Sequence, residues 1–108
     1  MSTTLPPLVS PQEAQKRVAA GALLIDVREP DEWQKMHVAA STLIPLGDVS
    51  SRLDEIPKDR DVILICRSGR RSGAAQTTLK GRGYDRVANL DGGLIAWHEG
   101  GLPVVEES

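Results

Sequence analysis

A single cysteine, no phenylalanine and an aromatic content of only 3% set this 108-residue chain apart by what it does without. One thiol cannot close an internal disulfide, form a Cys-x-x-Cys pair or build a cysteine zinc cluster, so a disulfide-stapled domain and the usual thiolate metal sites are excluded. No metal and no cofactor are expected. A core without phenylalanine must be built from Leu, Ile, Val and Ala, which makes Trp33, Tyr84 and Trp97 individually informative.

Excess charge of either sign is also missing. Thirteen Lys and Arg stand against fifteen Asp and Glu, for a formal charge of −2. Nucleic acid and anionic membranes require a broad basic surface, so neither is an expected partner, and any affinity for anions must be local. Long apolar runs are absent too: MSTTLPPLVSPQ carries no basic segment and no apolar stretch of signal-peptide or membrane-spanning length. The expected address is the cytoplasm.

What is present is the balance of an ordinary globular domain, 40% hydrophobic and 26% charged. The length allows one core and one site. We expect a single domain over 1–108, with a core from about 9 to 104 and short flexible ends, as a monomer or weak homodimer.

Strands and helices alternate along the chain. In SPQEAQKRVAAG, Ser10 can cap a helix, Pro11 suits its first position, Glu13 completes a Ser-x-x-Glu box and Gly21 ends it. ALLIDV (22–27) and DVILIC (61–66) are unbroken apolar runs, the pattern of strands buried on both faces, and the second reads as the central strand. PDEWQKM predicts a short helix with acids in its first turn. TLIPL (42–46) and RVANL (86–90) read as further strands. DVSSRLDEI (48–56) reads as a helix with Val49, Leu53 and Ile56 on one face and Asp48 as its cap. SGAAQTTLKGRG and DGGLIAWHEGG give two more helices bounded by glycines, and PVVEES (103–108) a tail that is frayed or partly docked. Strand–helix alternation at this spacing implies right-handed crossovers and a mostly parallel sheet covered on both faces.

The lone thiol lies in CRSGRRS (66–72), at the end of the central run, where open α/β sheets bind their ligands. Arg67, Ser68, Gly69, Arg70, Arg71 and Ser72 lead from it into a helix, so backbone N–H groups and the helix N-terminus can form an anion cradle. A free thiol has a pKa of about 8.5, and cationic surroundings at a helix N-terminus lower it. Cys66 alone would read as a small buried hydrophobe. The polar, triply basic loop behind it turns the reading toward a low-pKa nucleophile. Three arginines within five residues make at least one substrate-facing arginine the expectation, against the ordinary fate of solvated surface charge.

IDVREPDEW (25–33), His37, IPL (44–46), CRSGRRS (66–72), NLDGGLIAW (89–97) and GLPV (101–104), in that order, resemble a single-domain rhodanese, a sulfurtransferase. The resemblance runs from about residue 9 to 104. It implies a doubly wound α/β domain with a central, mostly parallel five-stranded sheet and helices on both faces. It further implies that Cys66 takes a sulfane sulfur as a persulfide, cradled by the six-residue loop Cys66 to Arg71, and passes it on. The partners implied are a small anionic sulfur donor such as thiosulfate and a cyanide or thiol acceptor. Asp26 and Arg28 would brace the pocket, a role that overlaps with a plain structural ion pair. Trp97 is a candidate for the pocket mouth, with core packing the favoured alternative, and Trp33 is expected to pack its helix on the sheet. His37 matches a Gly-His-Ile motif in which Met36 and Val38 replace the flanking residues, and is read as structural, with His98 exposed.

A cysteine-dependent phosphatase is the rival enzyme, but its signature has five residues between Cys and Arg. Here four separate Cys66 from Arg71, and the next position is Ser72. The shorter loop fits a sulfur atom better than a phosphoryl group, and its bulk and charge suit thiosulfate better than mercaptopyruvate. A non-catalytic rhodanese-like binding or sulfur-carrier module and a redox sensor remain further readings, the latter without a resolving cysteine.

Overall fold

The computed structural model describes residues 4–107. Five parallel strands form one sheet in the order β1 (Leu8–Val9), β6 (Val87–Leu90), β5 (Val62–Ile65), β2 (Leu23–Asp26), β4 (Ser41–Leu43). The most apolar run is thus the central strand, and all four residues of β5 are buried. Buried on both faces, it needs no polar alternation.

Successive side chains of a strand point to opposite faces, so these runs feed two cores. Leu24, Ile63, Ile65, Ala88 and Leu90 pack on one face with Ala14 of α1 (Pro11–Ala19) and Leu94 and Trp97 of α4 (Gly93–Glu99). On the other, Ile25, Val27, Val62, Leu64 and Cys66 pack with Ala75 and Leu79 of α3 (Arg70–Gly81) and with Tyr84. Tyr84 donates its hydroxyl to Ile56 O at 2.6 Å, which satisfies its polar end inside that core.

Ser10 caps α1 as its position predicts, accepting from Glu13 N at 3.1 Å. Glu13 turns its carboxylate to Arg17 instead of back to the cap. α2 (Pro30–Lys35) is capped one residue earlier, by Glu29, which forms a reciprocal box with Glu32.

The stretch 48–56 is not the α-helix its spacing predicts. It forms two 3-10 turns, Leu46–Ser51 and Leu53–Glu55, and Asp48 lies inside the first rather than capping it. Pro45 and Pro57 bracket the segment, and the residue before a proline is driven to extended backbone, as Ile56 is at φ −116° and ψ 108°. Ser51 adds a local bond to Asp48 O that favours a tight turn. Val49 and Ile56 are nevertheless buried, so the apolar positions do face the core.

The tail is tied down near its end. β7 (Val105–Glu106) pairs antiparallel with β3 (Met36–His37), and Glu107 N donates to Lys35 O at 2.9 Å. Among the described residues, no helix is long and apolar enough to cross a membrane.

Candidate active site

β5 ends at Ile65 and Cys66 follows at once, at the carboxyl edge of the sheet, only 1% exposed. Only Arg67, Ser68 and Gly69 then lie outside regular structure. Gly69, at φ 104°, is the N-cap of α3, whose first turn contains Arg70, Arg71 and Ser72. A left-handed cap suits glycine, and it turns the chain sharply enough that the new helix points its free amides back at the sulfur.

Gly69 N–H donates to Cys66 Sγ at 3.1 Å, and Ser72 Oγ lies 3.3 Å from the same sulfur. Burial pushes the thiol's pKa up, while the Ser72 hydroxyl and the amides of Ser72, Gly69 and Ser68 pull it down. The donors prevail, and Cys66 sits below the ordinary thiol value. The loop amides expected from the sequence are among the causes, and the Ser72 hydroxyl is the largest of those that lower the value.

The three arginines have different fates. Arg71 is committed, its Nη1 and Nη2 donating to Glu32 Oε1 and Oε2 at 2.7 and 2.9 Å. That pair holds the Glu32 carboxyl down at about 2. Arg67 and Arg70 are exposed, and among the described residues neither guanidinium has an acidic partner.

Asp26 and Arg28 form a buried pair, 1% and 4% exposed. Arg28 Nε and Nη2 grip the carboxylate at 3.0 and 2.9 Å, the Arg28 backbone N–H adds a third donor, and Nη2 also reaches Met36 O at 2.7 Å. Both carboxylate oxygens accept from Arg28, and no buried nitrogen or oxygen of the pair is left without a partner, the condition under which buried charges are tolerated. The same arginine lines a cleft of about 450 Å³ beside the loop, together with Lys35, Met36, Arg67, Leu94 and Ile95.

Trp97 is not at that mouth. It is 2% exposed in the core beneath α1, with Nε1 donating to Pro103 O at 2.9 Å, and it borders an apolar cavity on the α1 side. It shares the buried face of α4 with Leu94, in the core cluster on the α1 side of the sheet, so core packing is its role. Trp33 stacks on His37 with ring centroids 3.6 Å apart and donates to Ser41 Oγ. His37 Nδ1 bonds to Trp33 O at 2.7 Å, whereas the hydrogen bonds to Cys66 Sγ come from Gly69 and Ser72.

α4 closes the site from below. Leu94 N–H donates to Cys66 O at 2.8 Å and Ile95 N–H to Arg67 O at 3.1 Å. Such an approach requires Gly93, whose φ is +61° and whose absent Cβ would meet Arg67 C and Cys66 O at 2.5 and 2.6 Å.

Two participants escape sequence reading. Glu32 is 39 residues from the arginine it engages. Asn89, on β6, donates from Nδ2 to Gly69 O at 2.9 Å and accepts from Ser72 at 2.6 Å through Oδ1. Its polarity within an otherwise apolar strand is the one local sign that could have flagged it.

A buried thiol at the end of the central strand, bonded by a loop amide and a serine hydroxyl, is the centre of this candidate site, and comparison with known proteins assigns the chain to a family. A family model for the rhodanese-like domain matches residues 10–100. The chain belongs to the rhodanese-like domain family. It is 47% identical over 83 residues to a sulfurtransferase of Allochromatium vinosum, covering 77% of this chain and 78% of that protein. It is 29% identical to the thiosulfate sulfurtransferase GlpE of Pseudomonas syringae, covering 82% and 84%. Several other relatives are longer, and this chain spans 60%, 40% and 24% of three of them. Its fold is similar to that of a rhodanese-related protein of Thermoplasma volcanium, with a TM-score of 0.86, 29% identity and coverage of 94% of this chain and all of that one.

Proposed function

We propose that this domain is a thiosulfate sulfurtransferase working through a persulfide on Cys66. The observation that supports this reading best is the convergence of the Gly69 amide and the Ser72 hydroxyl on a buried, ionisable sulfur. In the first half-reaction the Cys66 thiolate attacks the outer sulfur of thiosulfate. A Cys66 S–S bond forms, the S–S bond of thiosulfate breaks, and sulfite leaves with the electron pair. In the second, cyanide or a thiolate attacks the outer sulfur of the persulfide and Cys66 leaves as the thiolate, ready for another cycle.

Arg67 and Arg70 attract and orient the dianionic donor, while the loop amides stabilise charge on the outer sulfur. Arg71, held by Glu32, shapes the loop rather than clasping substrate. The cleft beside Arg67 admits the acceptor. Asp26 and Arg28 brace the wall from the end of β2, and the Met36 carbonyl ties that wall to β3.

Thiocyanate formation from thiosulfate and cyanide tests the reading, with the native protein compared to Cys66→Ala and an aryl phosphate assayed in parallel. Thiocyanate from the native protein alone is the expected result. No thiocyanate from either, with phosphate release that depends on Cys66, would replace this reading with a phosphatase.

A further inference from the structure

The loop carbonyl of Gly69 fixes the orientation of a side-chain amide behind it. Asn89 Nδ2 donates to Gly69 O at 2.9 Å, which leaves Oδ1 facing Ser72. A flipped amide would set two carbonyl oxygens against each other, so the hydrogen-bond network allows one assignment. Ser72 is fully buried, with Oγ 2.6 Å from Asn89 Oδ1 and 3.3 Å from Cys66 Sγ. A hydroxyl has one proton to donate, and here it has two acceptors.

We propose that Asn89 is a positioning residue that acts on Cys66 through Ser72, competing with the sulfur for the single serine proton. While Cys66 is a thiol, its S–H donates to Ser72 Oγ, the serine proton goes to Asn89 Oδ1, and all three groups are satisfied. When the thiolate forms, the S–H is gone and Ser72 serves the sulfur only by turning away from Asn89. The gain at sulfur is then offset by a buried carbonyl oxygen left without its donor. Once Cys66 carries another sulfur, the charge moves outward and the serine proton returns to Asn89. Asn89 therefore disfavours the free thiolate relative to the states on either side of it. This keeps the nucleophile reactive, because a thiolate stabilised too far attacks more slowly.

The charged groups around Cys66 leave this competition intact. Arg71 faces it from α3 and is neutralised by Glu32 of α2. Asp26, in register with Ile65, is neutralised by Arg28 at the end of β2. Arg67 and Arg70 flank it in sequence and are exposed. α4 presents the Leu94 amide to the Cys66 carbonyl, and β6 presents uncharged Asn89.

The competition concerns ionisation of Cys66 and stands apart from the sulfur donor; only its persulfide step rests on the proposed sulfurtransferase activity. The test is the pH dependence of alkylation by iodoacetamide in the native chain, Ser72→Ala, Asn89→Ala and the double variant. Ser72→Ala raises the alkylation midpoint in both backgrounds, and by about half a pH unit more in the N89A background, where the serine serves only the sulfur. The tether to Gly69 is lost with Asn89 whether or not Ser72 is present, so it cancels in this cycle. An effect of Ser72→Ala that is equal or smaller in the N89A background overturns the proposal. Should Asn89→Ala fail to fold, Asn89→Asp serves: it keeps a stronger acceptor toward Ser72, so Ser72→Ala then moves the midpoint less than in the native chain. An undiminished shift in that background overturns the proposal equally. Alkylation needs no sulfur donor, so failure of sulfur transfer and failure of this inference are separately visible.

Discussion

Arg71 and Glu32 meet in a two-pronged ion pair, at 2.7 and 2.9 Å, that ties the first turn of α3 to α2. The arginine whose spacing from Cys66 separates this loop from a phosphatase signature thus has its charge already engaged. The pair is about one-third exposed, so its net contribution is modest, ~1 kcal/mol after screening. Glu32→Gln should cost about that much in chemical denaturation. The sign in pH follows from a depressed carboxyl: the stabilisation is complete above the ordinary value of 4.5 and is lost as pH falls toward about 2. The native chain should therefore lose its advantage over Glu32→Gln across that acid window, measured as the difference between their denaturation midpoints at each pH.

Gly93 is the second pressure point. Gly93→Ala would place a methyl group against the backbone of Cys66 and Arg67 in a left-handed conformation. The expected cost is about 3 kcal/mol, with the alkylation midpoint of Cys66 rising as the loop amides are displaced. Gly47, where an added Cβ would meet nothing within 4 Å and φ is not positive, is the control. Gly47→Ala should stay within roughly 0.5 kcal/mol of the native chain.

The Asp26–Arg28 pair should behave as a unit. Asp26→Ala leaves a buried guanidinium without its partner and should destabilise by about 3–5 kcal/mol. Arg28→Met should cost a similar amount, and the double variant clearly less than the two combined. Additive losses in a double-mutant cycle would contradict a self-contained buried pair.

Arg67→Gln and Arg70→Gln should each raise the KM for thiosulfate several-fold with little loss of stability, because both side chains are exposed and free of acidic partners among the described residues. The KM of the native chain should rise with ionic strength as their attraction is screened. Arg71→Gln should instead register mainly in denaturation. Steady-state kinetics beside denaturation curves separate the two behaviours.

How far the sequence can be read depends on the range of the interactions involved. ALLIDV and DVILIC announce buried parallel strands because burial on both faces leaves a purely local mark, and Cys66 at the end of the second run announces the site for the same reason. Leu8–Val9 leaves no such mark: a two-residue edge strand has no periodicity, and only its register with Asn89 and Leu90 reveals it. The 48–56 turns pass for an α-helix because residue spacing fits either helix type and the flanking prolines settle the matter. Trp97 is legible as a core residue but not as one facing away from the loop. The partners of Glu32 and Asn89 become visible only through the tertiary structure, since the sequence separations across which they act, 39 and 20 residues, carry no local pattern. The amide cradle around the thiol is legible from a loop that runs straight into a helix, whereas the contribution of the Ser72 hydroxyl needs the tertiary structure.

The most direct test of the central claim is the intact mass of the protein after brief incubation with thiosulfate, without an acceptor, alongside sulfite release. The account predicts a gain of one sulfur atom on the native chain with one equivalent of sulfite, removal of that sulfur on adding cyanide, and neither change in Cys66→Ala. An unchanged mass in the native protein with its thiol intact, or an equal gain in Cys66→Ala, would contradict it.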